Sequence, residues 1–444
     1  MEKDTEESLM NIDKAIDGLL IGAMIGLLGS IATTIGLPAQ AKAQDASSAQ
    51  APGRYIVVLK PGFAPETVSS DHKVQPDAVY RFALNGFAGP GTAAQAQDLK
   101  NDPRVKSIEN DQVVHVSGAL NQETGHLLHA PVFPSFPLDK QVLPIGVDRI
   151  DADLSSTALI DGTDERVDAA VAIIDSGIDL HHPDLNVVND VSFVPGKTRG
   201  DDDLGHGTGC AGIVGALDND FGVVGVAPGA RLWAVKVTNA GWMSQVSWVL
   251  SGIDYVTQHA QEIDVVNMSL FVQNAVNPSP AVDEALTNSI KAGVTYVAAA
   301  GNRSTDVGLL GFLPPQSNPD VILVSAINDT DGKGGALGSP NLFGNDDTFA
   351  AYSNFGPLVD IAAPGGPYLT TYPGGLYNIF GLTSGATAHV AGAVALYKAK
   401  HPGATPAQVQ AALLQAAKPQ TDPMFGFTGD PDSSPEPLVY AARF

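Results

Sequence analysis

The sequence predicts an α/β fold in which helices cover both faces of a mostly parallel sheet, with a small α+β unit before it. From residue 141 onward, short apolar runs of strand length alternate with longer amphipathic stretches of helical period. Strands that alternate with helices form parallel sheets, because a parallel connection needs a crossover long enough for a helix. Polar groups that carry chemistry are then expected at the carboxyl ends of the strands.

Five runs have the Val, Ile and Ala content of buried parallel strands. They are residues 169–174, 232–237, 265–268, 294–299 and 321–326. Residues 245–259 and 282–292 instead repeat apolar side chains at helical spacing, which predicts amphipathic helices between the strands. We therefore place the main domain at residues 141–425 and interpret residues 426–444 as a C-terminal tail.

An apolar segment lies near the start of the chain. Residues 18–37 are 20 positions without a charge, and the small-x-small sequence Ala41-Lys42-Ala43 follows them. This pattern is typical of an export signal, although the residues before it are acidic where signal peptides are usually basic. A stretch of about 20 apolar residues can also span a bilayer. We expect residues 1–43 to be a signal peptide or a membrane anchor, followed by a linker at residues 44–53.

A smaller domain is predicted at residues 54–118, where strand-like runs enclose a helix-like stretch near residues 91–101. This content indicates a two-layer β/α unit. The strand-like runs are residues 54–60, 79–87 and 105–116. Residues 119–140 are interpreted as a connector, because their prolines prevent regular structure.

The composition excludes two classes of function. The 444 residues include 24 Lys and Arg against 48 Asp and Glu, which gives a formal net charge of -24. Nucleic-acid affinity depends on basic residues that displace counterions from phosphates, so a nucleic-acid partner is excluded. The single cysteine, Cys210, excludes intrachain disulfides and four-cysteine zinc sites. Stability must therefore come from packing or from another bound metal ion.

Asp175, His206 and Ser384 are the candidates for chemistry. Asp175 follows an apolar run, His206 lies among small residues, and Ser384 starts an Ala-rich stretch. Each has an ordinary structural alternative: a turn-capping acid, a structural histidine and a helix N-cap. Together they supply a nucleophile, a base and an acid that orients the base. Leu382 removes the G-x-S-x-G elbow, which argues against an esterase of the α/β-hydrolase type.

Several separated motifs carry a resemblance to a known family. They are Asp175-Ser176-Gly177-Ile178-Asp179, His206-Gly207-Thr208, Val266-Asn267-Met268-Ser269-Leu270, Ala298-Ala299-Ala300-Gly301-Asn302, and Thr383-Ser384 with His389-Val390-Ala391-Gly392. From about residue 141 to 417 the chain resembles the subtilisin-like serine proteases, whose triad has the same chain order. Residues 54–116 resemble their inhibitor-type propeptides. The resemblance implies a three-layer α/β/α sandwich, preceded by a ferredoxin-like propeptide domain.

The function that the resemblance implies is a secreted serine endopeptidase acting on proteins or peptides. Ser384 would attack the scissile carbonyl, His206 would transfer the proton, and Asp175 would orient the imidazole. Asn302 would donate its amide to the oxyanion; its structural alternative is a residue that fills a left-handed turn. The implied substrate-binding residues are Ser269, Leu270, Phe271, Ala300 and Gly301.

The implied propeptide would assist folding and then block the active site as an intramolecular inhibitor. Self-cleavage somewhere between Ser117 and Lys140 would release a catalytic domain that acts as a monomer. The alternative for residues 54–118 is an independent binding module.

Four positions depart from the family pattern. Leu382 replaces a glycine, Gly385 a methionine, and Ala388 a proline near the nucleophile. Phe271 replaces a glycine on the wall of the specificity pocket, which predicts a narrowed pocket that disfavours large aromatic P1 residues. These departures leave open a second hypothesis, a catalytically silent relative that binds peptides.

Residues 215–228 resemble, without a change in length, the family loop that binds calcium. The implied ligands are all oxygens, as Ca²⁺ prefers. They are the carbonyls of Leu217, Phe221 and Val223 and the side chains of Gln141, Asp184 and Asn219. A solvated acidic turn without metal is the alternative. The acidic run at residues 201–203 is interpreted as a solvated loop, and Cys210 as a buried structural residue.

Overall fold

The computed structural model describes residues 53–115, 135–270, 279–309, 315–341 and 343–444, together with two short strands at 119–120 and 127–128. The predicted signal or anchor segment, the linker up to residue 52 and Phe271 lie outside the described residues. Within the described ranges, we find no helix with both the length and the apolar content needed to cross a membrane.

The small domain before the main one is a four-stranded antiparallel sheet with two helices. Its elements are β1 (Gly53–Leu59), α1 (Pro65–Asp71), β2 (Ala78–Tyr80), β3 (Gly86–Gly91), α2 (Ala93–Asn101) and β4 (Val105–Asn110). The strand order β2-β3-β1-β4 in this βαββαβ chain gives the predicted ferredoxin-like arrangement.

Strand β1 serves two cores because side chains alternate between the faces of a sheet. Val57 and Leu59 pack with Val68 and Leu99 of the two helices, inside the small domain. Ile56 and Val58 belong instead to a core that continues into the main domain. The small domain therefore contacts the main domain through the outer face of its sheet.

The main domain is built on an eight-stranded sheet. Its elements, with those leading into it, are β5 (Val113–His115), β6 (Ala119–Leu120), β7 (Leu127–Leu128), α3 (Ile145–Arg149), β8 (Ala170–Asp175), β9 (Val187–Ser192), α4 (His206–Gly215), β10 (Arg231–Lys236), β11 (Met243–Gln245), α5 (Val246–Gln258), β12 (Val265–Met268), α6 (Pro280–Lys291), β13 (Thr295–Ala299), a 3-10 turn (Val307–Leu309), β14 (Ile322–Asn328), β15 (Thr348–Phe349), β16 (Ile361–Pro364), β17 (Tyr368–Tyr372), β18 (Leu376–Phe380), α7 (Leu382–Lys400) and α8 (Pro406–Ala416).

The sheet is mostly parallel, as predicted. Its strand order is β15-β14-β13-β12-β8-β10-β9, with β16 also paired to β14. Within this sheet of described residues, only the two-residue strand β15 runs antiparallel to its neighbour. All five predicted runs form strands, at β8, β10, β12, β13 and β14.

Each face of the sheet is covered by its own apolar core, which completes the three-layer sandwich. Val171 and Ile173 of β8 pack on the side of α4 and α7. Ala172 and Ile174, the alternate residues of the same strand, pack on the side of α5 and α6. The segment interpreted as a C-terminal tail packs against the domain as well, since Leu438 and Phe444 are buried.

Candidate active site

The fold brings Asp175, His206 and Ser384 together from three elements. Asp175 ends β8, His206 begins α4, and Ser384 lies in the first turn of α7. Asp175 Oδ1 lies 2.8 Å from His206 Nδ1, and His206 Nε2 lies 3.0 Å from Ser384 Oγ. The N-cap of α7 is Gly381, so the N-cap interpretation of Ser384 is wrong. The arrangement can pass a proton from the serine hydroxyl to the imidazole.

The His206 ring is held in a nearly dry environment. Its edge faces two aromatic rings, with centroid separations of 5.4 Å to Trp242 and 5.1 Å to Phe380. Burial lowers the pKa of His206, but the charge of Asp175 and its hydrogen bond outweigh that effect, so the pKa lies above its ordinary value. The imidazolium that forms during proton transfer is therefore stabilised by Asp175.

Asp202 fixes the loop that carries His206, which sequence reasoning did not find. Its carboxylate accepts hydrogen bonds from Ser176 Oγ (2.9 Å) and Thr208 Oγ1 (2.6 Å), and from the backbone N–H of Gly205 (2.9 Å). Only 7% of Asp202 is exposed, so the prediction of a solvated loop is wrong for this residue. The sequence held no clear signal for this role, because the partner Ser176 lies 26 residues before Asp202.

Asn302 is oriented with its carbonyl oxygen occupied and its amide nitrogen free. Oδ1 accepts hydrogen bonds from Thr383 N (3.0 Å) and Thr383 Oγ1 (2.8 Å). Nδ2 is buried and has no hydrogen-bond partner among the residues that the structure describes. Gly301, before it, has φ of 104°, a conformation that glycine adopts without strain. A buried, unpartnered N–H donor beside the nucleophile is suited to a developing negative charge.

The other predicted substrate-binding residues lie around this centre, with differing contacts. Ser269 is fully buried, and its Oγ donates to the Ser384 carbonyl at 3.0 Å, so it supports the nucleophile. The Leu270 carbonyl accepts from Gln316 Nε2 (3.2 Å), and the Ala300 carbonyl from Asn354 Nδ2 (2.8 Å). Gln316 and Asn354 were not predicted, because each belongs to a loop far away in sequence.

Two family departures have structural consequences. Leu382 has φ of 66°, in the left-handed region that glycine favours, while 7% of the residue is exposed. At Gly385 an added Cβ would lie 3.6 Å from Ile213 and 3.9 Å from Phe380, which is ordinary contact. Neither position displaces a member of the triad.

Cys210 lies beneath His206 on the first turns of α4. Ligand atoms of Cys210, Asp175 and His206 all lie within 4.8 Å of one another. Burial, followed by the charge of Asp175, raises the pKa of the thiol well above its ordinary value. A neutral, fully buried thiol is a poor nucleophile.

The side chains predicted to bind calcium also come together. Asp184 is fully buried, its Oδ1 accepts from Asn219 Nδ2 (2.9 Å), and its Oδ2 accepts from Val223 N (3.0 Å) and Tyr377 Oη (3.1 Å). Gln141 Oε1 accepts from the backbone N–H of Asn219. In the described part of the chain no basic side chain pairs with Asp184, and burial raises its pKa to about 7. A buried, unneutralised carboxylate in an oxygen-rich loop fits a hard cation.

The small domain reaches the active site through its last strand. β5 pairs antiparallel with β11, with His115 opposite Met243. The residue before Met243 is Trp242, whose ring contacts His206. Strand β5 therefore pairs with residues that directly follow a ring in contact with His206.

Acidic side chains fasten the two domains to each other. Asp111 of the small domain accepts from Ser247 N (2.9 Å) and Ser247 Oγ (2.7 Å) at the start of α5, where unpaired N–H groups favour an anion. Asp254, on the same helix, accepts from the backbone N–H groups of Phe82 and Ala83, both at 2.7 Å.

Comparisons with known proteins agree with this geometry. A model of the Subtilase family matches residues 167–428, and a model of the Peptidase inhibitor I9 family matches residues 54–117. Subtilisin E of Bacillus subtilis is 34% identical over 348 residues, covering 78% of this chain and 78% of that protein. A thermostable alkaline protease of Halalkalibacterium halodurans is 29% identical over 403 residues, covering 90% and 94%.

A solved structure agrees as well. A cold adapted subtilisin-like serine proteinase has a TM-score of 0.53 and 27% identity, over 67% of this chain and 97% of that chain. The family match and the identity to the subtilisins give one family assignment. The chain belongs to the subtilase family of serine endopeptidases and carries a peptidase inhibitor I9 domain.

Proposed function

We propose that this chain is a secreted endopeptidase whose triad is Asp175, His206 and Ser384 and whose oxyanion donor is Asn302. The observation that carries the proposal is the continuous hydrogen-bond chain from Asp175 Oδ1 through both nitrogens of His206 to Ser384 Oγ. A serine hydroxyl is a weak nucleophile alone and needs a base within hydrogen-bond reach.

In the first step, Ser384 Oγ attacks the carbonyl carbon of the scissile bond while its proton moves to His206 Nε2. Asp175 keeps the other imidazole proton on Nδ1, so that Nε2 is free to accept. His206 then gives its proton to the leaving amine, and the C–N bond breaks to leave an acyl-enzyme. Water hydrolyses this ester by the same proton transfers in reverse order.

The oxyanion of each tetrahedral intermediate receives hydrogen bonds from Asn302 Nδ2 and from the backbone N–H of Ser384. The support for this role is that Nδ2 is buried without a partner. A donor that is already fixed in a dry site stabilises new charge without reorganising. The first turn of α7 adds the positive end of a 19-residue helix.

We propose that Ser269, Leu270, Ala300 and Gly301 form the walls along which a protein or peptide substrate lies, and that Phe271 narrows the specificity pocket. The support is that Ser269, Leu270, Ala300 and Gly301 follow the carboxyl ends of the neighbouring strands β12 and β13. A narrower pocket disfavours large aromatic P1 side chains.

We propose that the inhibitor I9 domain helps the catalytic domain fold and blocks its cleft until self-cleavage in residues 117–140. The support is the pairing of β5 with β11, which follows directly on Trp242, the residue whose ring contacts His206. After removal of the segment before it, the catalytic domain acts as a secreted monomer. The apolar residues 18–37 direct the export.

We also propose that Gln141, Asp184 and Asn219, with the carbonyls of Leu217, Phe221 and Val223, hold a structural Ca²⁺ ion. Among the described residues, the buried carboxylate of Asp184 has three neutral donors and no basic partner. The ion would neutralise this charge and tie the start of the catalytic domain to the loop after α4.

The experiment is self-processing and casein hydrolysis by the full chain and by Ser384→Ala. The wild type should shorten at a bond within residues 117–140 and digest casein, whereas Ser384→Ala should stay full length and inactive. The matched control is Ser339→Ala, at an exposed serine without a catalytic neighbour. Processing of purified Ser384→Ala at the wild-type rate would overturn the proposal.

A further inference from the structure

Three consecutive acids precede His206, and the structure gives each of them a different environment. Asp201 is exposed. Asp203 forms ion pairs with Lys236 at 2.7 Å and with Lys197 at 3.0 Å, so the protein itself neutralises its charge. Asp202 is only 7% exposed, and among the described residues its carboxylate contacts hydroxyl and backbone donors but no basic side chain. The charge of Asp202 is therefore both buried and without a cationic partner.

The carboxylate of Asp202 is surrounded by hydrogen-bond donors. Besides the bonds from Ser176 Oγ, Thr208 Oγ1 and Gly205 N, it accepts from Leu204 N at 3.0 Å and from Thr208 N at 2.9 Å. Burial raises the pKa of Asp202 above its ordinary value, and these hydrogen bonds oppose that effect. Donors that point at a carboxyl group stabilise its ionised form.

The two hydroxyls in this set donate to Asp202. Ser176 Oγ already accepts from Gly207 N at 2.9 Å, and Thr208 Oγ1 already accepts from Asp179 N at 3.0 Å. Because each hydroxyl accepts from a backbone N–H, its one proton is directed at the carboxylate. All five contacts are therefore N–H or O–H donors, which is the environment of an ionised carboxylate.

These contacts join the element that carries Asp175 to the element that carries His206. Ser176 directly follows Asp175 at the end of β8, and Gly205 directly precedes His206 at the start of α4. Asp202 accepts from both Ser176 and Gly205. It therefore fixes the position of the triad acid relative to the triad base, whose own bond is 2.8 Å long.

The charge of Asp202 also acts on the imidazole. Burial lowers the pKa of His206, and the carboxylates of Asp175 and Asp202 raise it. Among the described residues, the other side chains in contact with this ring or grouped with it are uncharged: Trp242, Phe380, Ser384 and the buried thiol of Cys210.

We propose that Asp202 is a positioning residue of the active site, which fixes the imidazole of His206 against Asp175 and adds a second negative charge that stabilises the imidazolium. This inference rests on the proposed triad. It predicts that Asp202 affects turnover rather than substrate binding, because its side chain contacts the elements that carry Asp175 and His206.

The first measurement is the pKa of His206, by NMR of ¹³C-labelled histidine in the full chain with Ser384→Ala, which prevents self-digestion. The resonance is identified by its absence in His206→Gln. Asp202→Asn should lower this pKa, because the charge is lost while the imidazole stays buried. Asp201→Asn removes an exposed charge from the same loop and is the matched control. It should keep the parental pKa, because water and salt screen an exposed charge.

The second measurement is the steady-state kinetics of the self-cleaved enzyme on a peptide substrate. Asp202→Asn should lower kcat by roughly 10-fold to 100-fold with little change in KM, because a displaced imidazole slows proton transfer. Ser176→Ala removes the hydroxyl that links the two elements but keeps both carboxylates. It should lower kcat without moving the acid side of the pH profile, and Asp201→Asn should match the parent.

The outcomes separate a positioning role from a purely structural one. A lower pKa of His206 in folded Asp202→Asn, with the parental value in Asp201→Asn, supports the inference whether or not the variant cleaves itself. A lower melting temperature with an unchanged pKa of His206 assigns Asp202 a structural role and overturns it. If Asp202→Asn does not fold, Ser176→Ala decides: a lower kcat at parental KM supports the inference, and a parental kcat overturns it.

Failure of the proposed triad gives a different result. In that case Asp175→Asn, measured in the same way, leaves the pKa of His206 unchanged, and the triad and this inference are overturned together. If Asp175→Asn lowers the pKa of His206 and folded Asp202→Asn does not, only the inference about Asp202 is overturned.

Discussion

Thr383 holds Asn302 in place through two hydrogen bonds to the same oxygen, from its backbone N at 3.0 Å and its Oγ1 at 2.8 Å. Because Thr383 directly precedes Ser384, the nucleophile and the amide of Asn302 are linked through one residue. With Oδ1 occupied, Nδ2 is the atom left to meet the substrate oxyanion.

Replacing Asn302 by Ala should lower kcat by roughly 100-fold to 1000-fold, with little change in KM, because the lost donor acts on the transition state. This range is the one known for an oxyanion-hole donor of a subtilisin. Thr383→Val keeps the backbone bond but loses the Oγ1 bond, and should lower kcat by about 10-fold. Steady-state kinetics on a peptide substrate measure both. A rise in KM at constant kcat in Asn302→Ala would contradict the oxyanion role.

The raised pKa of His206 predicts the acid side of the pH profile. The imidazole must be neutral to accept the serine proton, so kcat/KM should fall as pH drops through a pKa above the ordinary value of about 6.5. Asp175→Asn removes the charge that raises the pKa of His206 but leaves the imidazole buried. The acid limb of the profile, where kcat/KM falls with decreasing pH, should therefore move to lower pH. The residual activity should be about 10⁴-fold smaller.

The control for this pH profile is Asp168→Asn, at an exposed aspartate. Its acid limb should coincide with that of the wild type. An acid limb that keeps its position in Asp175→Asn would show that another group sets the profile.

At position 382, replacing leucine by glycine should leave a more stable protein than replacing it by alanine, which is the reverse of the usual order within a helix. Both variants lose the side chain of a residue that is only 7% exposed. This loss lowers the free energy of unfolding by about 2–5 kcal/mol. Only glycine also relieves the strain of φ at 66°, worth about 1–2 kcal/mol. Leu382→Gly should therefore be more stable than Leu382→Ala by about 1 kcal/mol, although glycine is normally the worse residue in a helix.

Urea unfolding of both variants in the Ser384→Ala background measures the difference. Leu396, buried in the middle of α7, is the matched position, because its backbone does not have positive φ. There the alanine variant should be the more stable one. If the alanine variant were the more stable one at both positions, backbone strain at Leu382 would be contradicted.

Asp254 should control how tightly the inhibitor domain stays bound after self-cleavage. Its carboxylate accepts backbone N–H groups of Phe82 and Ala83 at 2.7 Å each. Asp254→Asn keeps one acceptor oxygen but loses the charge, so the complex should weaken by roughly 10-fold, equivalent to about 1.4 kcal/mol. The effect is measured by diluting the self-cleaved mixture and recording how much of the protease activity stays inhibited by the inhibitor domain. Asp168→Asn should leave the inhibition unchanged, and equal inhibition in Asp254→Asn would refute this contact as an energetic anchor.

Calcium removal should lower the melting temperature of the inactive Ser384→Ala chain. An ion present at about 100 times its Kd contributes roughly 2.7 kcal/mol, which corresponds to a shift of about 4 °C for a domain of this size. The shift between excess calcium and chelator should shrink in Asp184→Asn. A melting temperature that does not respond to chelator in the parent chain would contradict the proposed calcium site around Asp184.

The sequence predicted the triad because Asp175, His206 and Ser384 stand in distinctive local surroundings at strand and helix ends. It also predicted the five central strands, whose apolar runs are continuous. Strand β9 was missed because it lies at the edge of the sheet and reads Val-Val-Asn-Asp-Val-Ser, which is less apolar than a central strand. Strand β16 is apolar and buried, but its four residues are too few to show a period and end in a proline.

The long-range polar contacts could not be predicted from the sequence. Asp202 looked like part of a solvated charge run, because its partner Ser176 lies 26 residues away. The same limit applies to Arg149, whose buried hydrogen bond to Asp347 spans 198 residues. Charge and periodicity report which residues tend to be exposed, whereas hydrogen-bond partners are set by the tertiary fold.

Covalent labelling of Ser384 tests the central claim most directly. The processed protein is treated with a fluorophosphonate, and the modified residue is identified by mass spectrometry. We predict one label per molecule on Ser384, no label in Ser384→Ala, and a rate lowered by several orders of magnitude in His206→Ala. A folded, processed protein that takes no label, or takes it on another serine at the same rate, would contradict the account.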